Sequence, residues 1–94
     1  MGRAIRRSVK MGEQVLVERE RILGDEHPDT LRTRSALATS YRLAGQIDEA
    51  IQLGERVVGQ LNRLHGPRHA NTLRTRSYLA DSYRLAGRIN EAIR

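Results

Sequence analysis

Apolar side chains recur along this chain at helical spacing, in blocks separated by glycine. Ile5, Val9, Gly12, Val15, Leu16, Ile22 and Leu23 fall near one face of a helix running from about Arg3 to Leu23. Gly24 ends it, as glycine commonly does just past a helix terminus. Pro28 then suits the first turn of a second helix, where no amide donor is needed, and Asp29 places a negative charge at its positive end. That helix runs to Ala44 and stops at Gly45. A third, from Ile47 to Leu64, turns Ile47, Ala50, Ile51, Gly54, Val57, Val58, Leu61 and Leu64 inward and is broken by Gly66-Pro67. A fourth spans Ala70 to Ala86 and ends at Gly87; a fifth starts near Ile89, with only six residues to follow it through. The expected fold class is all-α, about five helices with the last one truncated.

The blocks are copies of one another. His27 to Gly45 reads HPDTLRTRSALATSYRLAG and His69 to Gly87 reads HANTLRTRSYLADSYRLAG, identical at 15 of 19 positions at an offset of 42. Upstream, Gly24 matches Gly66, and Met11-Gly12-Glu13 aligns with Leu53-Gly54-Glu55. Downstream, Ile47, Glu49, Ala50 and Ile51 match Ile89, Glu91, Ala92 and Ile93. A fixed helical period of this length marks an α-solenoid of antiparallel helix pairs, in which no unit buries its apolar face without a neighbour. The 94 residues therefore form a single domain fragment. Residues 3–23 are the second helix of a preceding repeat, 27–64 a full repeat, and 69–94 a truncated one.

Composition narrows the chemistry. Cysteine is absent, which excludes disulfides and thiolate metal sites and fits a reducing, cytoplasmic location. No apolar run approaches the ~20 residues of a membrane span, and the basic N-terminus lacks the apolar stretch of a signal peptide. With neither Phe nor Trp, the core has to be built from Leu, Ile, Val, Ala and three Tyr. The net charge of +6, mostly arginine, points to an anionic partner or simply to solubility.

Leu37-Ala38, Tyr41, Gly45 and Ala50, and again Leu79-Ala80, Tyr83, Gly87 and Ala92, resemble the tetratricopeptide repeat. The 42-residue length and the His-Pro-Asp-Thr start resemble the long variant of kinesin light chains and the arrays attached to bacterial signalling ATPases of the NB-ARC type. The resemblance implies a protein–protein interaction or scaffolding module, with small Ala38 and Ala50 letting helices approach and a buried tyrosine between them. Two departures stand out. Arg34 and Arg76 occupy places where the family has a bulky apolar residue, so Leu31 and Leu73 are expected to supply that packing. Gly54 stands where a large side chain is usual, so packing there is expected to be thin.

The resemblance also implies that the first helix of each pair lines a concave groove. Arg32, Ser35, Thr39, Arg42 and Leu43 then face it from one unit, and Arg74, Ser77, Asp81, Arg84 and Leu85 from the next. Arginine presents a planar fork suited to carboxylate, so the expected ligand is an acidic peptide or a C-terminal carboxylate. The plain alternative is a solvated face held by local ion pairs such as Arg84 with Asp81. Self-association through uncapped ends, by stacking or helix exchange, is expected to involve Leu79, Tyr83, Ile89, Ile93, Ile5 and Val9, giving a homo-oligomer. The rival partner is nucleic acid, met by Arg3, Arg6, Arg7 and Lys10 on the first helix. His27 and His69 precede helix starts and are read as caps. No catalytic, cofactor or metal constellation is expected, and no membrane partner.

Overall fold

The computed structural model describes residues 2–87. Among them lie four helices and no strand: α1 (Gly2–Leu23), α2 (Pro28–Leu43), α3 (Ile47–His65) and α4 (Ala70–Leu85). The predicted fifth helix, with Ile89 and Ile93, lies outside the described residues.

The start of each first helix is built by the same device. The His27 Nδ1 accepts the amide of Asp29 at 3.1 Å, and the His69 Nδ1 accepts the amide of Asn71 at 3.1 Å. Both histidines are therefore caps, satisfying a donor that the first turn leaves without a partner. The ends are equally matched. Ala44 and Ala86 close the helices, and Gly45 and Gly87 follow at φ 81° and 76°, a left-handed backbone that side chains resist.

Each helix packs on the next, and α2 also touches α4, giving a flat slab of 36 × 34 × 17 Å. Antiparallel order shows in the α1–α2 contacts. Thr30 reaches the Arg19 carbonyl and Arg34 the Glu20 carboxylate, whereas Tyr41 reaches Glu13 and Ser40 reaches Ser8. The apolar core runs through Val9, Leu31, Leu37, Ala50, Ile51, Val57, Leu61 and Leu79. Burying each leucine or isoleucine here contributes about 1.5–3 kcal/mol.

Gly54 corrects the expectation of thin packing there, and Gly12 shows the same close contact. A Cβ on Gly12 would stand 3.0 Å from the Leu37 Cδ1, and one on Gly54 would stand 3.1 Å from the Leu79 Cδ1. The leucine of each first helix fills the space above the glycine of the preceding second helix. The two contacts are the same contact, 42 residues apart.

Other expectations shift. Val15, Ile22 and Leu23 are exposed, because among the described helices α1 meets only α2 and its far flank is left open. Leu64 is exposed as well. Tyr41 and Tyr83 are half-buried rather than buried. The Tyr41 hydroxyl donates to Glu13 at 2.6 Å, and the Tyr83 hydroxyl donates to Glu55. A phenol needs a polar partner, and the carboxylate at the edge of the preceding helix holds the ring there. Desolvation, with the adjacent Glu13 carboxylate, pushes the Tyr41 hydroxyl up to about 12.

Arg34 departs furthest from expectation. It has no exposure at all and sits at the centre of a polar network in the junction of α1, α2 and α3. One terminal nitrogen donates to the Asp25 carbonyl and the Gln60 Oε1, each at 2.8 Å. The other donates to the Glu20 Oε2 at 2.7 Å and to the Asp25 carboxylate, which Arg56 also holds at 2.7 Å. Two carboxylates and an amide thus let a cation occupy an apolar position. Partial desolvation raises the Asp25 carboxyl, but Arg34 and Arg56 outweigh it and hold it below its ordinary 3.8. Leu31 supplies the expected packing, clustering with Val57 and Leu61; Leu73 does not, being 48% exposed.

Candidate interaction groove

Side by side, α2 and α4 leave a groove of about 330 Å³ between them. From α2 it receives Arg32, Ser35, Ala36 and Thr39, and from α4 it receives Asn71, Arg74, Thr75 and Tyr78. A small continuation shares Ser35, Thr39, Thr75 and Tyr78 and adds Arg42 at its far end. Of the expected groove residues, Arg32, Ser35, Thr39, Arg42 and Arg74 therefore line one continuous surface. Ser77, Asp81 and Arg84 are not part of that lining, nor are Leu43 and Leu85, which are exposed. The reason is geometric. Two neighbouring helices show opposite flanks to the valley between them, so α4 contributes the stripe of Asn71, Arg74, Thr75 and Tyr78. Asn71, Thr75 and Tyr78 are the α4 groove residues that same-stripe reasoning misses; for Tyr78 the signal was a large ring replacing Ala36 at an otherwise repeated position.

The 42-residue comparison also separates the arginines by charge. Arg32 is paired with Asp29, one turn before it, at 2.9 Å, a carboxylate it shares with Arg19. Its counterpart Arg74 has Asn71 at that place and forms no ion pair among the described residues. At the other end the pattern inverts. Arg84 is paired with Asp81, whereas Arg42 has Thr39 at the matching place and, among the described residues, no ion pair. The two uncompensated guanidiniums, Arg74 and Arg42, consequently stand at opposite ends of the groove. Between them lie hydroxyls and the 42%-exposed ring of Tyr78. Such a surface can grip an extended acidic segment: charge at two points, hydrogen bonds between, and one aromatic face.

The residues expected at self-association faces are placed differently. Val9 and Leu79 are buried within the chain, Leu79 against Gly54, and offer no open surface. Ile5 and Tyr83 are half-buried. The basic residues Arg3, Arg6, Arg7 and Lys10 lie exposed on α1. His65 stacks on His69 with ring centroids 4.6 Å apart, and among the described residues no cluster of three or more metal-ligating side chains occurs. No helix among them is long and apolar enough to cross a membrane.

The tetratricopeptide repeat family model matches residues 6–62. Comparison with curated protein sequences gives no significant match. Among solved structures, the chain is similar to a Podosopora anserina protein assigned as a kinesin light chain with nearly identical TPR-like repeats. It is 31% identical over 95% of this chain, with a TM-score of 0.90. A point variant of that protein matches with the same identity and TM-score. The chain spans 42% of that protein's length. Helix pairs, period and family model agree: this chain belongs to the tetratricopeptide repeat family, whose repeats generally mediate protein–protein interaction.

Proposed function

We propose that the chain is a cytoplasmic interaction module that binds an extended acidic peptide in the groove between α2 and α4. What supports this is the placement of two uncompensated guanidiniums, Arg74 and Arg42, at the ends of a groove floored by hydroxyls and Tyr78. Arg32 contributes less, since Asp29 already answers its charge. The reading assigns binding rather than catalysis. It also includes self-association through helix faces left without a neighbour. The larger bacterial signalling setting is a proposal resting on the resemblance alone.

Fluorescence anisotropy with a labelled Glu-rich peptide tests the groove. A charge-assisted hydrogen bond is worth about 1.5–3 kcal/mol, so R74A and R42A should each weaken binding roughly 10- to 100-fold. R84A, already paired with Asp81, should change it little. Equal affinities for all three variants would exclude the groove. Tighter binding to RNA than to the peptide, with a steep loss on adding salt, would favour the nucleic-acid alternative.

A further inference from the structure

We propose that copies of this chain stack head to tail, the C-terminal half of α1 of one copy lying on the Leu73–Arg76 face of α4 of another, with Glu18 opposite Arg76. This deepens the self-association reading and rests on it.

The interior of the chain shows what such a face requires. On α2, Leu31 is covered by Val57 and Leu61, and Arg34 is covered by α3 with its Nη1 on the Gln60 carbonyl. Shifted by 42, the same face on α4 has no helix over it among the described residues. Leu73 is 48% exposed, and Arg76 is exposed with no hydrogen bond or ion pair among the described residues. The acids that meet Arg34 are also gone. Glu20 is replaced by Asn62 and Asp25 by Pro67. A helix laid on α4 must therefore bring negative charge, because the preceding turn no longer supplies it.

In the α3 register, α1 is such a helix. Val57 corresponds to Val15, Leu64 to Ile22, and Gln60 to Glu18, an acid in place of the amide. This flank of α1 is open: Val57 has no exposure where Val15 has 39%, and Ile22 has 64%. Among the described residues Glu18 is held only by Arg21 one turn on, in an exposed pair that costs little to exchange. Arg19, at the Leu61 position, is kept by Asp29 of its own chain. The two faces differ, so the contact is heterologous and does not close at two copies unless a ring forms.

Light scattering coupled to size exclusion, over a concentration series of the full chain, tests this. The wild-type mass should rise with concentration beyond the dimer. R76E and E18R should each remain monomeric, and so, more weakly, should R76A and E18Q. An equimolar mixture of R76E and E18R should regain the large species, because each then supplies the charge the other lost. Circular dichroism should show all variants folded, both positions being exposed. A wild type that stays monomeric throughout overturns both this contact and self-association. Association that R76E and E18R leave unchanged, or that the mixture fails to regain, overturns the head-to-tail pairing while leaving self-association through another face.

Discussion

Replacing Arg34 with alanine should be among the most damaging single changes in the chain, whereas the same change 42 residues later should be nearly silent. Arg34 donates to the Asp25 carbonyl, Gln60, Glu20 and the Asp25 carboxylate from a position without exposure. Breaking a buried ion pair by removing one partner costs about 3–5 kcal/mol. Glu20 and Asp25 are 34% and 55% exposed and recover water, which draws the figure toward the lower end. Gln60, 3% exposed, does not recover it, and the lost side-chain volume leaves a cavity. About 3–4 kcal/mol is therefore expected, a large part of the ~5–15 kcal/mol that holds a domain folded. R34K should fall between, since one ammonium cannot reach every acceptor that the planar guanidinium does. R76A, at an exposed residue with no partner among the described residues, should stay within ~0.5 kcal/mol. Urea titration followed by circular dichroism, at concentrations that keep the chain monomeric, gives each value from the midpoint shift at constant slope. Equal losses for R34A and R76A would refute the reasoning.

Three further outcomes follow from the same structure. G54V should destabilise by about 1–3 kcal/mol in the same titration, because its side chain would enter the space held by the Leu79 Cδ1 at 3.1 Å. The Asp25 carboxyl is held below 3.8 in the folded chain, so its stabilising contribution is present above that pH and lost as pH falls through the depressed value. D25N should flatten the acid limb of a stability–pH profile. The Tyr41 hydroxyl lies up at about 12 against an ordinary 10.0, so its contribution is complete below pH 10 and disappears as pH rises toward 12. Y41F should remove that alkaline dependence, seen in the same profile.

Much of the fold was legible because it rests on local chemistry repeated at one offset. His27 and His69 announce helix starts, Gly45 and Gly87 announce helix ends, and the apolar period between them fixes which flank turns inward. What local pattern could not supply was the pairing of distant groups. Arg34 looks like a defect in an apolar stripe until Glu20, Asp25 and Gln60 converge on it from two other elements. The available signal was the loss of both acids in the next unit, at Asn62 and Pro67, where Arg76 is exposed. The groove was half legible for a similar reason. Periodicity assigns a stripe to each helix but not which flank faces a neighbour, so Arg32, Ser35 and Thr39 were found on α2 while Tyr78 and Asn71 on α4 were not.

The stacking of these helices stands or falls with one contact made twice. Nuclear Overhauser spectroscopy on methyl-labelled chain should give cross-peaks from the Leu37 methyls to the Gly12 α-protons and from the Leu79 methyls to the Gly54 α-protons, at similar intensity. Absence of either cross-peak, or two contacts of clearly different strength, would contradict a packing that recurs with the sequence every 42 residues.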